Sequence, residues 1–463
     1  MGAVAAYVRS LNPALPRAVQ TLQLGGLLNA FGNGLAYPFL FIYLHNVRGM
    51  SLVVAGLIVG ANSTIGLFAG PAAGPLVDRF GGRRILAAAL CLQTLGYGAY
   101  PWVRVPWEGF AASIVAGLGN ASFWPAQSSL IAGLTPPDRR HKAFAVQRIN
   151  MNLGIGLGAM AGGFIATTTR PHTFTLLFLG DALTFVLYVA VLLFVPSSAR
   201  TASAERRELG GYRAVLRHRV FLGVLAINVL LTTAGIAMFE LFPAYVKNHA
   251  GVNERGIGWI YLVNTLTIVL IQLPVARLLE GHRRMPATAA LAVLWAVSWA
   301  CVPGVAALAS GSSATVLFIV VLTVFAIGEC IHGGIWGALV TELADHRLIG
   351  RYMAMSAFSW TAGFAAGPAV GGFVLAASPV ALWLGAAVIL LGAGAVALAL
   401  EHALPPQARV TPVSERGEAG KMGKSTMRPD DPLSTDAKPA THQASAPAPP
   451  RGGSSRTRRA PAR

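Results

Sequence analysis

Acidic side chains interrupt three apolar stretches of the sequence, and their chemistry stands out from the rest of the chain. Asp181, Glu240 and Glu329 each lie well inside an apolar run, and His332 follows Glu329 by one helical turn. Burial in an apolar medium favours the neutral, protonated form of a carboxyl group. A carboxyl that gains a proton on one side of a barrier and loses it on the other can couple proton flow to the movement of a solute. We predict that these four residues are proton-coupling candidates; structural hydrogen bonding to neighbouring helices is the alternative.

These side chains must be positioned by the long apolar runs around them. Of the 463 residues, 54% are hydrophobic and only 12% are charged, and the mean hydropathy is +0.58, which is unusual for a water-soluble domain. A helix of about 20 apolar residues crosses a hydrocarbon core about 30 Å thick. We therefore predict an all-α polytopic membrane protein with twelve transmembrane helices, at residues 18–45, 52–77, 84–104, 109–134, 144–167, 174–196, 220–246, 256–279, 285–307, 313–341, 352–376 and 379–402.

Lysine and arginine are concentrated in alternate loops of this topology. The segments 79–84, 139–142, 200–219 and 277–284 are basic, whereas the loops between them carry few cations. Short basic loops stay in the cytoplasm, so both termini are predicted to be cytoplasmic. The Ala-, Gly- and Arg-rich composition favours a bacterial inner membrane as the location.

The last part of the chain has a different composition. Residues 404–463 are polar and rich in Pro, Ala, Ser and Arg, so they are predicted to be a disordered cytoplasmic tail. The chain has a net charge of +18, but its arginines are scattered over loops and tail. Attraction to anionic lipid headgroups explains this charge better than a nucleic-acid site does. We expect the lipid bilayer, and no nucleic acid, as a partner.

The reactive residues do not predict an enzyme. Cys91, Cys301 and Cys330 lie singly within apolar runs, and the ten histidines lack metal-ligand spacing. The segment GKMGKS at 420–425 resembles part of a phosphate-binding loop, but Glu418 stands where that motif needs glycine. We expect no metal and no cofactor.

The two parts of the chain resemble each other. A shift of 202 residues aligns Tyr43 with Tyr245 and Asn46 with Asn248, and a nearly equal shift aligns the glycines of the fifth and eleventh spans. Internal repeats of this kind are common in membrane transporters. We predict an N-terminal six-helix bundle at 1–196, a cytoplasmic central loop at 197–219 and a C-terminal six-helix bundle at 220–403.

A short charged motif lies between the second and third predicted spans. The sequence GPLVDRFGGRR follows the pattern G-x-L-x-D-R-x-G-x-R-R, carried by Gly74, Asp78, Arg79, Gly81, Arg83 and Arg84. With twelve spans in two sets of six, the chain closely resembles the major facilitator superfamily of secondary transporters, although Gly82 stands where that family often has a basic residue. The resemblance implies two six-helix bundles related by a pseudo-twofold axis, in a monomer that works by alternating access.

We expect the charged motif to act as a conformational latch. Gly74 lets the second span approach another helix closely, and Gly81 permits a tight turn. Asp78 can accept backbone N–H bonds at the start of a helix, where the helix dipole favours a carboxylate. The resemblance implies that this helix is the eleventh span, and we predict that the contact stabilises an outward-facing state.

Small residues recur at four-residue spacing in the fifth and eleventh spans. They give each helix a flat face for close packing, and they also resemble the glycine-proline signature of drug:proton antiporters. In this chain the proline is Pro368 in the eleventh span, Ala159 takes its place in the fifth, and Ser113 stands where those antiporters often have arginine. Packing and antiport are equal interpretations for Gly154, Gly158, Gly162, Gly163, Gly363, Gly367, Gly371 and Gly372.

The family architecture implies a cavity between the halves, lined by spans one, four, seven and ten. Aromatic side chains with few charges suit an amphipathic or cationic-lipophilic cargo, although core packing explains each aromatic equally well. Prolines 38 and 243 are predicted to bend spans one and seven. Arg148, close to the cytoplasmic end of span five, is expected to reach the membrane interface and to be a pairing residue rather than a cargo ligand. The cavity candidates are Asn29, Asn33, Tyr37, Phe123, Trp124, Gln127, Asn228, Phe239 and Trp336.

These features favour a secondary transporter driven by the proton-motive force. The leading hypothesis is export of small lipophilic or drug-like compounds, with protons and a small-molecule substrate as partners. A proton-coupled uptake symporter of a small nutrient would have the same fold, and Ala159 and Ser113 leave that alternative open. A membrane sensor that does not transport is the least favoured alternative.

Overall fold

Twelve long helical segments form the structure, a computed structural model that describes residues 15–136, 139–196, 212–345 and 348–411. Within these ranges there is no β-strand, only an isolated bridge between Arg283 and Val410. The long helices are α1 (Arg17–Ile42), α2 (Leu52–Phe80), α3 (Gly82–Ala99), α4 (Pro106–Leu134), α5 (Arg140–Ile165), α6 (His172–Leu193), α7 (Arg219–Ala234), α8 (Glu254–Leu278), α9 (Arg284–Leu308), α10 (Gly311–Leu343), α11 (Ile349–Ala377) and α12 (Pro379–Leu400). Most of the predicted central loop and the part of the predicted 404–463 tail from residue 412 onward lie outside the described residues. Disorder is the wrong prediction for residues 404–411, because a helical turn at Pro406–Arg409 buries Ala408 and the next residue, Val410, pairs with Arg283.

Length and apolar composition make nine of the described segments able to cross a membrane on their own. The other three are α3, α4 and α5, which pack inside the first half of the bundle. The hydropathy of α5 is lowered by its three cations, Arg140, Lys142 and Arg148, which are exposed in the fold. The chain is an all-α polytopic membrane protein, as the sequence predicts.

The helices form two six-helix halves with the same packing. In the first half α1 packs against α5 and α6, α4 against α2 and α3, and α3 against α6. In the second half α7 packs against α11 and α12, α10 against α8 and α9, and α9 against α12. Adding six to each helix number converts the first set into the second. The pseudo-twofold relation predicted from the repeat is therefore confirmed.

The halves meet through two equivalent helix pairs, α2 with α11 and α5 with α8, which we call the inter-half interface. At Gly372 an added Cβ would lie 2.8 Å from the carbonyl oxygen of Leu52, and at Gly258 it would lie 2.9 Å from that of Ala159. Such distances are shorter than real Cβ contacts, so only glycine permits this approach of the backbones. Gly163 faces α8 in the same way.

The remaining glycines of the repeated pattern face inward within each half. Gly154, Gly158 and Gly162 lie against the backbone of α1. Their counterparts Gly363, Gly367 and Gly371 lie against α7 and the turn that follows it. The glycine stripes therefore serve two contacts, one inside each half and one between the halves.

Span seven is interrupted near its middle. α7 ends at Gly235, which has φ −99° and ψ −90°, and a 3₁₀ turn, Ile236–Glu240, leads into a helix at Phe242–Ala250. Pro243 lies in the first turn of that helix, where its missing N–H is not needed. α1 remains helical through Pro38 and ends in a π-helical turn, Tyr43–Val47. The two spans therefore depart from a regular helix at different places, because the break in span seven lies at Gly235 rather than at the proline.

The two ends of the bundle differ in charge. One end of the bundle, at residues 80–82, 134–136, 139–140, 278–284, 343–345 and 348–349, carries the basic segments, and we call it the basic face. The other end, formed by the turns at 43–52, 99–106, 165–172 and 250–254, we call the opposite face. Here the halves are joined by a hydrogen bond from Asn46 Nδ2 to Asn248 Oδ1 of 2.7 Å. Near the basic face, an added Cβ at Gly70 or Gly74 would meet no atom within 4 Å.

Candidate functional site

One link between the halves is made by two residues that the sequence singles out separately. The Tyr37 hydroxyl, in α1, donates a hydrogen bond to Oε1 of Glu240, in the 3₁₀ turn after α7. Glu240 is 7% exposed and Tyr37 is 39% exposed. The second carboxylate oxygen of Glu240 has no hydrogen-bond partner in the part of the chain that the structure describes. The proton-coupling candidate Glu240 therefore contacts the other half through a cavity candidate.

A second link involves Glu329, near the middle of α10. Its Oε2 accepts a hydrogen bond of 3.3 Å from Asn264 Nδ2 of α8. The guanidinium of Arg148, from α5 in the other half, lies directly over Gly333 of α10 and is close enough to attract the Glu329 carboxylate electrostatically. The expectation that Arg148 extends to the membrane interface is therefore wrong: its side chain crosses the inter-half interface. The sequence places Arg148 inside span five, but it does not show which helix of the other half faces it.

His332 has partners different from those of Glu329. Its Nε2 lies 3.0 Å from Oδ1 of Asn228 in α7, and Asn228 in turn donates to Ser359 Oγ at 2.9 Å. The imidazole stacks on Trp336 with a centroid distance of 5.7 Å and an angle of 10°. Packing and hydrogen bonding, rather than contact with Glu329, therefore describe His332 in this conformation.

Asp181 lies inside the first half and not at the inter-half interface. Its side chain, in α6, is 1% exposed, and neither carboxylate oxygen has a hydrogen-bond partner among the described residues. An added Cβ at Gly32 of α1 would lie 2.6 Å from Oδ1. A buried polar group without a partner costs about 1–3 kcal/mol, so a purely structural role leaves Asp181 unexplained.

The other cavity candidates divide into buried and accessible residues. Gln127 is buried and donates to the Tyr188 hydroxyl at 2.9 Å within the first half. Phe239 packs against Phe325 with ring centroids 4.9 Å apart. Trp124 is 48% exposed and meets the ring of Phe123 edge to face. Asn29 is buried, whereas Asn33 and Trp336 are half-buried. Core packing therefore accounts for Gln127, Phe123 and Phe239, and accessibility favours Tyr37, Trp124 and Trp336 as cavity-lining residues.

The charged motif between α2 and α3 lies free of α11 in this conformation. Asp78 is exposed, and within the described ranges it makes no hydrogen bond or ion pair. Arg79 lies over the ring of Phe80 at 5.2 Å, Arg83 donates to the Leu193 carbonyl at 3.4 Å, and Arg84 is exposed. Gly81 has φ 87°, as a tight turn at this place requires. Gly74 makes no close helix approach here.

Two matched six-helix bundles of long apolar helices, with buried acids near the boundary between them, are the architecture of a membrane transporter rather than of an enzyme. The sequence profile of the Major Facilitator Superfamily matches residues 22–254 and 241–435, and the chain belongs to that superfamily.

Two relatives have low sequence identity to this chain. The uncharacterized MFS-type transporter YqjV of Bacillus subtilis is 24% identical over 364 residues, which cover 77% of this chain and 85% of that protein. The multidrug resistance protein MdtH of Escherichia coli is 25% identical over 358 residues, which cover 76% of this chain and 85% of that protein.

Solved structures of transporters share the fold. The nucleoside transporter NupG matches with a TM-score of 0.70 at 12% identity, over 84% of this chain and 100% of that one. The inward-open conformation of the xylose transporter XylE from E. coli matches with a TM-score of 0.63 at 16% identity, over 81% of this chain and 94% of that one. At these identities the likeness shows the fold alone.

Proposed function

We propose that this protein exports small lipophilic or drug-like compounds in exchange for protons, by alternating access. It acts as a monomer in a bacterial inner membrane, with the basic face and both termini in the cytoplasm. In this arrangement residues 1–196 and 220–403 are the two moving halves, 197–219 connects them, and 404–463 is a cytoplasmic tail. The similarity to the multidrug resistance protein MdtH supports a drug-like cargo for this chain as well.

The observation that carries the proposal is the position of Glu240 and Glu329. Both are carboxyls inside the membrane region, and each is approached by a group of the other half, Tyr37 in one case and Arg148 in the other. A proton bound or lost at either carboxyl therefore changes the strength of a contact between the halves. This is the physical requirement for linking protonation to the equilibrium between conformations.

The conformation described here is the inward-facing member of the cycle. The halves touch at the opposite face through Asn46 and Asn248, while Asp78 near the basic face is exposed. In the outward-facing state, the halves separate at the opposite face and Asp78 caps the start of α11. The latch predicted for Asp78 belongs to that second state.

Proton exchange is tested with everted membrane vesicles that carry an imposed proton gradient. We expect that an exported compound collapses the gradient in wild-type vesicles, and that Glu240→Gln and Glu329→Gln each abolish this release. Glu108→Gln is the matched control, because Glu108 is a half-buried carboxylate that accepts hydrogen bonds from the backbone N–H groups of Arg104 and Val105 within one half. Gradient collapse that is undiminished in both interface variants would refute the coupling.

Uptake of a small nutrient by symport is the second candidate. The observation that favours it is Ser113, which is fully buried and donates its hydroxyl to the Ile58 carbonyl, so the arginine typical of drug antiporters has no equivalent there. A polar group formed by Asn62, Gln93, Tyr97 and Asn120 adds hydrogen-bonding capacity inside the first half. In the same vesicles, protons that move in the direction of the cargo indicate symport.

A further inference from the structure

The Arg148 guanidinium lies in a slot over a helix position that has no side chain, Gly333. Its guanidinium sits over Gly333 of α10, where an added Cβ would be 2.6 Å from Nη1 and 2.7 Å from Cζ. One turn further along α10, a Cβ at Gly337 would meet nothing within 4 Å. A side chain at position 333 would therefore displace the guanidinium from the place where it now rests against a helix of the second half.

The guanidinium is available to a ligand. Arg148 is exposed, and among the described residues its side chain has no hydrogen bond and no ion pair within 4 Å. Glu329 lies one turn before Gly333 and attracts Arg148, but its hydrogen bond is to Asn264. A cation inside a membrane span is energetically costly unless a partner compensates its charge. Within the described chain, Glu329 compensates the charge of Arg148 only in part.

Aromatic rings continue from the slot along α10 and α11. His332, the neighbour of Gly333, stacks on Trp336 and meets Trp360 edge to face at 5.1 Å. Trp360 stacks on Phe364 at 6.4 Å with an angle of 19°. Trp336, Trp360 and Phe364 are all half-buried. A flat apolar body can pack against such rings while a charged group at its end reaches Arg148.

We propose that Arg148, held in the Gly333 slot, binds the anionic group of an amphipathic aromatic cargo, whose body packs on Trp336 and Trp360. The proposal rests on the proposed function and narrows its cargo to organic anions and zwitterions with a flat apolar part. Arginine suits this task because its planar donors can bind both oxygens of a carboxylate. Glu329 then competes with the cargo anion for Arg148, so the anion binds best when Glu329 is protonated. This linkage is that of the symport candidate, and exchange requires that the proton released on cargo binding come from another carboxyl, such as Glu240.

The test measures binding separately from transport. Quenching of tryptophan fluorescence in the purified protein reports binding of naphthoate, of its methyl ester and of naphthylmethylammonium, which differ in charge but share the ring system. We expect wild-type protein to bind naphthoate most tightly. Gly333→Ala displaces the guanidinium without removing its charge, and we expect it to weaken naphthoate binding on the order of 10- to 100-fold, the range for loss of a charged hydrogen bond.

Two further variants identify the cause. Gly337→Ala adds the same methyl group one turn away and is expected to leave naphthoate binding within about twofold of wild type. Arg148→Lys keeps the charge but loses the paired donors, so we expect intermediate binding, and Arg148→Gln should abolish the preference for naphthoate over its ester. The proposal is overturned if wild-type protein does not prefer the carboxylate, or if Gly333→Ala weakens ester and carboxylate equally.

Transport measurements with the same compounds distinguish failure of the proposed binding site from failure of the proposed function. Proteoliposomes with an imposed proton gradient measure transport of the same three compounds. Carboxylate binding that depends on Arg148, without any proton-driven transport, would refute the proposed function and support the binding site. Proton-driven transport of all three compounds, unchanged in Arg148→Gln, would support the function and refute the site.

Discussion

The hydrogen bond between Tyr37 and Glu240 should hold the halves together at the opposite face. Tyr37→Phe removes the hydroxyl donor with little change in side-chain volume. Tyr37 belongs to the first half and its acceptor, Glu240, to the second. A hydrogen bond contributes about 0.5–1.5 kcal/mol when both groups are neutral and about 1.5–3 kcal/mol when one is charged. Tyr37→Phe should therefore shift the equilibrium between the present conformation and the one open at the opposite face. The shift toward the open conformation is roughly 2- to 10-fold if Glu240 is neutral and roughly 10- to 100-fold if it is ionised.

A disulfide crosslink at the opposite face can measure this shift. Asn46 and Asn248 are in hydrogen-bond contact at 2.7 Å, so cysteines at these two positions can pair only while the opposite face is closed. The native residues Cys91, Cys301 and Cys330 are first replaced by alanine, since they are free thiols. We expect Tyr37→Phe to slow crosslinking in this background by up to the factor given above, because the rate follows the fraction of molecules in which the opposite face is closed.

The matched control is Tyr261→Phe. The Tyr261 hydroxyl donates to the Phe239 carbonyl at 2.7 Å, and both residues belong to the second half. This change removes a comparable hydrogen bond but no link between the halves, so crosslinking should remain at the parent rate. Equal crosslinking rates for Tyr37→Phe and the parent would refute the assignment of this bond as an inter-half contact that matters energetically.

Three other changes test separate parts of the structure. Asp78→Asn should speed the same crosslink, because the proposed latch would then no longer stabilise the opposite state; an unchanged rate and unchanged transport would exclude the latch. Gly372→Val places a side chain where even a Cβ would lie 2.8 Å from the facing backbone, so crosslinking should fall at least 10-fold. Gly385→Val is its control, because a Cβ there would meet nothing within 4 Å, and it should leave crosslinking unchanged. Glu342→Gln leaves the fully buried Arg284 without its ion pair of 2.6 Å; since Glu342 is partly exposed, we expect a loss of about 2–3 kcal/mol, seen as a lower Tm in detergent.

The helices and their symmetry could be predicted because both depend on local and repeated signals. Apolar runs of membrane length are separated by charged or Pro- and Gly-containing turns, and every predicted span contains a long helical segment. The alignment of Asn46 with Asn248 came from the repeat alone, and the structure shows the two side chains hydrogen-bonded to each other. Residues related by a twofold axis meet only near that axis, so this pair lies where the two halves converge.

The partners of the buried acids could not be predicted from one sequence. Hydropathy identifies Glu240 and Glu329 as unusual, but it carries no information about which helix faces them. Tyr37 and Arg148 reach them across an interface set by backbone contacts at glycines such as Gly163 and Gly372. The interruption of span seven at Gly235 was equally hidden, because an apolar run reads the same whether its backbone is α-helical or forms a 3₁₀ turn.

The symmetry of the fold is broken where the chemistry is concentrated. The glycine contacts of α2 with α11 and of α5 with α8 are equivalent in the two halves, as is the Asn46–Asn248 pair. The two interface acids, in contrast, both belong to the second half, and the groups that approach them from across the interface, Tyr37 and Arg148, both belong to the first. Symmetric contacts allow the halves to rock between two similar arrangements at little cost in packing. In the proposed cycle, this asymmetric placement of the acids means that one rigid-body movement of the halves would change the surroundings of both carboxyls together, and so would link their protonation to that movement.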